Sequence, residues 1–298
     1  MELRHLRYFL AVVDAGTTTK AAELVLVAQP SLSRQLRRLE ADLGLSLFDH
    51  RAGRLRLTSA GREFVPIARD LLARATAARD AATALSTGQV SRIAIAAPVT
   101  TTADVIAPFI ATTTAADVMI TVQEVLPAQA YEALWRGADL AISSVPPPRH
   151  LTGGIIARLP LFAYPPPGHP WEGKERINVV DLVAEPLLLP TEEHVTRRIF
   201  DHAVLQAGVR FDAACETSIP QVAQALAAAG HGVAVVSDDP RYGLSPMRVD
   251  GIDQPVEIVL FAGWDPSHYA SRVIGPLVDR LRDYCVRRYG AQALHGKE

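Results

Sequence analysis

The chain has 298 residues, 49% apolar and 21% charged, a composition that builds packed cores and excludes a disordered polymer. Its net charge of -2 excludes a protein that is basic throughout, so any surface for nucleic acid has to be local. Cys215 and Cys285 are far apart and show no C-x-x-C spacing, which excludes a disulfide framework and a thiolate zinc site. No apolar run approaches the roughly 20 residues of a membrane span. The N-terminal MELRHLRYF carries charge where a secretion signal is apolar, so a cytoplasmic protein without a membrane partner is expected.

Leu3, Leu6, Phe9, Leu10 and Val13 recur at three- and four-residue steps, which predicts a first helix ending near Gly16. Thr17 or Thr18 caps a short second helix through Leu24, and small Ala21 and Ala22 permit a close helix crossing. A third helix opens at Gln29-Pro30-Ser31, where proline suits the first turn, and stops before Gly44. Leu32, Leu36, Leu39 and Leu43 form its buried stripe. Its other face presents Ser31, Arg34, Gln35 and Arg38, flanked by Ser33 and Arg37, donors long enough to reach phosphates and base edges. A charged helix face is commonly just solvated, so this face decides nothing by itself. The sequel adds weight: Leu45 to Phe48 leads through the turn Arg51-Ala52-Gly53-Arg54 into the alternating Leu55-Arg56-Leu57-Thr58, a basic two-stranded wing. From Ser31 to Arg62 seven arginines face only Glu40, Asp42 and Asp49.

The run AAELVLVAQPSLSRQLRRLEADLGLSLFDHRAGRLRLTSAG resembles the signature of the LysR-type transcriptional regulators. In that family A-A-x-x-L, S-Q-P-[AS]-L-S-x-x-I, L-E-x-x-L-G-x-x-L-F and L-T-x-A-G follow in this order and spacing. The resemblance spans residues 1 to 61 and implies an N-terminal all-α winged helix-turn-helix that binds double-stranded DNA. It places Gln29, Pro30, Ser31 and Arg34 at the DNA-reading end of the third helix and Arg51 and Arg54 in the wing. Thr18, Lys20, Ser33, Arg37 and Arg38 complete the expected DNA-contacting set. The chain departs from the pattern at Ala28, where the family has serine, and at His50, where arginine is common; each departure bears on operator preference.

After Thr58, Phe64, Ala68, Leu71, Ala75, Ala78, Ala82 and Leu85 alternate four and three apart, the spacing of a narrow coiled-coil seam. Such a stripe can equally pack on its own chain. The resemblance favours pairing, because LysR-type proteins dimerise through a long linker helix here. Pro66 should kink this helix unless it restarts there, and Ser86-Thr87-Gly88 ends it.

From Arg92 onward, strand-like and helix-like segments alternate. Strands are predicted at Ile93 to Ala97, Val118 to Val125, Leu140 to Ser144, Leu161 to Tyr164, Leu187 to Leu189, Val233 to Val236 and Val256 to Ala262. Helices are predicted near Asp104 to Thr112, Gln129 to Trp135, Thr196 to Gln206, Gln221 to Ala229 and Tyr269 to Tyr289. That order predicts βαβ units in a mostly parallel sheet. ADLAI at 138–142, GHP at 168–170, DLVAEPLLL at 181–189 and AAAGHGVAVV at 227–236 resemble landmarks of the family's effector domain, which is built like a periplasmic binding protein from two α/β subdomains. The implied domains are 1–58 for DNA binding, 59–88 for the linker helix and 89–298 for the effector. Within the last, the first subdomain takes 90–162 and 267–298 and the second 163–266.

Ligands in such folds sit between subdomains near strand C-termini. Thr100, Thr101 and Thr102 follow the first strand and can grip a carboxylate with hydroxyls and helix N–H groups; a simple helix cap explains them almost as well. The facing positions implied by resemblance are Ser144, Pro190, His194 and Thr196, with Ile219 and Pro220 in the Ser218–Gln221 crossover. Glu192 and Glu193 are odd company for a purely anionic ligand. They face solvent, or pair with an effector amine, or pair with Arg197 and Arg198. His194 and His202 match no compact metal spacing, and no catalytic or dinucleotide motif is present. The expected partners are DNA, a small-molecule effector with small organic acids as the candidate class, a second copy in a homodimer that assembles into a homotetramer, and RNA polymerase. No cofactor and no enzymatic activity are expected. Two rival readings are a small-molecule binder with a vestigial N-terminal module and an effector-independent architectural DNA binder.

Overall fold

The computed structural model describes residues 1–51 and 54–290, with the backbone alone for His50, Arg51 and Arg54. They form two compact units, Met1–Ser91 with Trp135–Ala138, and Arg92–Leu134 with Asp139 onward.

In the first unit α1 (Leu3–Ala15), α2 (Thr18–Leu24) and α3 (Gln29–Leu43) end where the sequence changes chemistry. Gly16 and Gly44 take left-handed φ of 71° and 70°, which a side chain would strain. Thr17, rather than Thr18, caps α2, its hydroxyl accepting from Lys20 N at 3.3 Å. Phe9 is fully buried and joins three elements, with ring centroids 5.4 Å from Phe48 and 5.5 Å from Phe64. Burying such a ring stabilises by about 2–3 kcal/mol. The wing pairs β1 (Phe48–Arg51) antiparallel with β2 (Arg54–Leu57), Phe48 opposite Leu57.

Two polar clamps fix the wing to the helices. Glu40 on α3 accepts from Leu47 N at 2.7 Å and Phe48 N at 3.1 Å. Thr58 donates to Ser46 O at 2.7 Å and accepts from Gly61 N at 2.9 Å, so it closes the wing and caps α4 (Ser59–Thr87) at once. The helix runs through Pro66 without restarting. Its apolar stripe divides into two parts. Phe64, Ala68 and Leu71 pack into the first unit's core. Ala78, Ala82 and Leu85 are exposed, Leu85 by 78%.

The second unit contains two sheets. The first has the order β4-β3-β5-β13-β6, drawn from β3 (Arg92–Ala97), β4 (Met119–Glu124), β5 (Leu140–Ser143), β6 (Thr152–Pro160) and β13 (Glu257–Trp264). The second has the order β10-β9-β11-β7-β12-β8, drawn from β7 (Phe162–Tyr164), β8 (Arg176–Asn178), β9 (Leu187–Pro190), β10 (Ala213–Thr217), β11 (Val233–Val236) and β12 (Met247–Asp250). In the first sheet β4, β3, β5 and β6 run one way and only β13 is reversed; in the second β10, β9, β11, β12 and β8 run one way and only β7 is reversed. Both sheets are therefore mostly parallel, as expected, with one reversed strand in each. The reversed strands are reached by the two crossings between sheets: β6 runs into β7 and β12 returns to β13, and the crossings bond through Leu161 N to Val256 O at 2.8 Å.

Helices cover the sheets: α5 (Val99–Thr101), a π turn (Thr102–Ile106) and α6 (Ala107–Ile110) make one unbroken rod. They are followed by α7 (Val179–Leu182), α8 (Val195–Gln206), α9 (Pro220–Ala228) and α10 (Ser271–Tyr289). The helix expected at Gln129 to Trp135 is instead two 3-10 turns, Pro127–Gln129 and Glu132–Arg136. Pro127 and left-handed Gly137 bracket too few residues to pay the nucleation cost of an α-helix. Asp139 of the ADLAI segment accepts from Ala94 N at 2.7 Å and lies 3.2 Å from His268 Nε2, tying β3 to the approach of α10.

Candidate functional site

The outward side of α3 has the composition of a nucleic-acid surface. Gln29, Pro30, Arg34, Arg37 and Arg38 are exposed, and Ser31 and Ser33 are half-buried. The Gln29 amide donates to Thr18 Oγ1 at 3.3 Å and to Ser33 Oγ at 3.1 Å, which ties the start of α2 to the start of α3. Lys20 is exposed nearby. Arg37 folds back on Ser33 O at 3.4 Å, whereas Arg34 has no acidic partner among the described residues. The N-cap of α3 is Ala28, with no side-chain bond; Pro30 has no N–H and Ser31 N bonds the Ala28 carbonyl at 2.9 Å, so only the Gln29 N–H of this helix start is left without a bond among the described residues. Gln35 is a correction: it turns inward, 2.9 Å from buried His5. The side chains of Arg51 and Arg54 lie outside the described residues.

In the second unit a cavity of about 610 Å³ opens between the C-terminal ends of the parallel strands of both sheets. That is the size expected of a small-ligand site. Of the expected residues Thr100, Thr101, Ser144, His194, Ile219 and Pro220 line it. Thr102, Pro190 and Thr196 do not. Thr102 Oγ1 is buried without a partner one turn along the rod, the Pro190 carbonyl accepts from Arg197 at 3.3 Å, and Thr196 is buried 3.2 Å from Ser237. Pro98, His194 and Ile219, the N-cap positions of the rod, α8 and α9, carry no side-chain cap. Three helix starts thus leave amides facing one space.

Asp104, Glu124, Gln129, Ser237 and Tyr289 also line the cavity and were not singled out from the sequence. Burial, with nearby Asp239, raises the Asp104 carboxyl to about 6, against the opposing pull of Arg241. Burial, then Asp104, raises neighbouring Asp238 to about 7. Burial and Arg198 push His194 down, so its imidazole is neutral near pH 7. Arg197 pairs with Asp201 at 2.8 Å and Glu216 at 2.6 Å, not with Glu192 or Glu193.

A larger cleft of about 1060 Å³ shares Asp104 and Tyr289 with this cavity. Its arginines are committed to partners, Arg176 to Asp250, Arg241 to Asp104 and Arg288 to Asp239. Paired charges open to solvent make a poorer small-molecule site than the enclosed, partly apolar cavity. Among the described residues no group of three His, Cys, Asp or Glu side chains is placed to hold a metal. Cys215 and Cys285 are free thiols, and burial pushes Cys285 up to about 12, which removes thiolate reactivity.

A helical reading head followed by a two-lobed ligand module is the architecture of a ligand-responsive DNA-binding protein. Residues 3–62 match the bacterial regulatory helix-turn-helix proteins of the lysR family, and residues 86–286 match the LysR substrate binding domain. The chain belongs to the LysR family. It is 40% identical over 96 residues to the HTH-type transcriptional regulator TcbR of Pseudomonas sp. (strain P51), covering 32% of this chain and 33% of TcbR. It is 29% identical over 301 residues to the regulatory protein NocR of Agrobacterium fabrum (strain C58 / ATCC 33970), covering 95% of this chain and 97% of NocR. The match thus spans about a third of TcbR but nearly all of NocR. The fold is that of CbnR, a LysR family transcriptional regulator, at TM-score 0.73 and 23% identity, covering 96% of this chain and 99% of CbnR. CbnR complexed with its target DNA gives TM-score 0.71 at 24% identity, covering 97% and 99%. No described helix is long and apolar enough to cross a membrane.

Proposed function

We propose that the protein is a cytoplasmic, sequence-specific transcriptional regulator, without enzymatic activity, whose DNA binding is set by a small molecule held in the 610 Å³ cavity. The observation that carries this reading is the exposed face of α3, where Arg34 stands without an acidic partner among the described residues beside the Gln29, Thr18 and Ser33 network. This face enters the major groove, with Arg34, Arg38 and Lys20 toward phosphates and Gln29, Pro30 and Ser31 toward base edges. That CbnR was solved with its target DNA supports the same use here.

Two copies pair through the exposed seam of α4, Ala78, Ala82 and Leu85, and two such dimers form a tetramer that presents paired reading heads to a pseudo-palindromic site. RNA polymerase is the further partner. The effector shifts the balance between two placements of the lobes by binding one of them better. Its acidic group meets Thr100, Thr101 and the uncapped helix starts.

The test is a mobility shift on the chromosomal fragment upstream of the protein's own gene, at several salt concentrations. Arg34→Ala should weaken binding to every duplex and lower the salt slope by about 0.9, the loss of one phosphate contact. An unchanged slope removes Arg34 from the interface. An architectural DNA binder that needs no effector is disfavoured by the enclosed cavity, and a metabolite panel in which no compound raises the melting temperature would favour it.

A further inference from the structure

We propose that the effector carries a cationic nitrogen group, an ammonium or guanidinium, held by Glu124 and Glu193, in addition to its acidic end. The inference rests on the cavity being the effector site.

The lining includes these two carboxylates, a third in Asp104 that Arg241 already pairs at 3.5 Å, and, among the described residues, no lysine or arginine. His194 supplies no charge near pH 7, because burial and Arg198 hold it neutral. The acids come from both sides of the space: Glu124 ends β4 of the first sheet, and Glu193 follows β9 of the second. Neither makes an ion pair with a described residue. The cations closest in sequence to Glu193 are used elsewhere, Arg197 on Asp201 and Glu216, and Arg198 on the Glu193 backbone carbonyl at 3.4 Å. Glu193 is therefore an exposed carboxylate on the cavity lining with no ion-pair partner among the described residues.

Independent polar atoms also await a ligand. Thr101 is only 7% exposed and lines the cavity, yet its hydroxyl has no partner among the described residues. His194 Nδ1 is buried without one. These donors and the helix starts suit a carboxylate, whereas a second carboxylate at the acidic side would meet like charge. A molecule with one acidic end and one cationic end satisfies both sides, and a cation between Glu124 and Glu193 contacts both lobes at once, which couples binding to their placement.

The test is calorimetric titration of the full-length protein with lysine, arginine, hexanoate and adipate. Hexanoate repeats the carbon chain of lysine without nitrogen, and adipate replaces the cationic end with a second carboxylate. Lysine or arginine should bind, hexanoate and adipate should not, and Glu193→Gln or Glu124→Gln should each weaken the binding about tenfold, the weight of one charge-assisted hydrogen bond. Thr101→Val should weaken it as well. Binding of adipate or hexanoate that Glu193→Gln leaves unchanged or tightens overturns the cationic assignment. If Thr101→Val weakens that binding, the cavity stands as the effector site and only the charge class falls. Failure of lysine and arginine to bind at millimolar concentration also overturns the inference.

Discussion

Gly61→Ala tests how the wing is locked to the linker helix. A Cβ at position 61 would lie 2.1 Å from the Leu47 carbonyl oxygen and 2.9 Å from Leu57 Cδ2. The oxygen belongs to backbone, so no rotamer change relieves the contact. Leu47 is fully buried, its N–H is held by Glu40, and its carbonyl accepts from Thr58 N at 3.0 Å. Moving it away breaks that bond and loosens the Glu40 clamp. Overpacking costs about 1–3 kcal/mol, and each internal hydrogen bond lost adds about 1 kcal/mol, so the first unit should lose about 3–4 kcal/mol. In a unit of this size that lowers its melting transition by roughly 15 °C. Scanning calorimetry of the full-length protein reads the shift, and DNA binding at 37 °C should fall with it. An alanine variant melting within about 2 °C of the parent would refute the close approach of Gly61 to Leu47.

Three further outcomes follow from other parts of the molecule. Thr101→Val should reduce effector affinity while Thr102→Val leaves it unchanged, since only the first lines the cavity; equal effects would place the ligand deeper along the rod. Asp104 and Asp238 hold their protons more tightly folded than unfolded, so their contribution favours the fold at low pH and is lost as pH rises from about 4 through about 6 and 7. Asp238→Asn keeps an Oδ1 acceptor for Gln221 and should flatten this fall; urea midpoints at acidic and alkaline pH with the parent's full pH dependence would contradict the assignment. Leu85→Arg, at a position 78% exposed on the single chain, should leave the melting temperature intact and convert dimer to monomer in sedimentation; an unaltered mass would move the pairing surface elsewhere.

Much of the first unit was legible in the sequence because its signals are local. Gly16, Gly44 and Pro30 mark helix ends through backbone geometry alone, and leucine spacing sets the buried side of α3. Gln35 was misread because α3 has a partly buried margin, where a residue's direction depends on a partner thirty positions away, His5. Glu40 looked like one acid among arginines, and its role as an acceptor for the wing appears only when Leu47 and Phe48 return to it. In the second unit no strand was expected at β6, whose start carries Gly153-Gly154 instead of β-branched or aromatic residues. The strand needs glycine there because a Cβ on Gly153 would lie 2.0 Å from the Ala262 carbonyl of β13. The threonines after β3 were found, since hydroxyls after a strand and before a helix form a local pattern. Glu193 was noticed in the sequence, but Asp104, Glu124 and Tyr289 converge from distant segments and have no such pattern, so their part in the cavity emerged only in three dimensions.

The central claim is that α3 reads DNA under control of the cavity, and DNase footprinting on the upstream fragment with and without ligand tests it most directly. The account predicts protected half-sites about one helical turn apart or at a multiple of that spacing, loss of protection with rising salt, and a change in the protected pattern when a cavity ligand is added. No protection of any fragment at low ionic strength, or equal protection of an unrelated duplex that ligand does not alter, would contradict it.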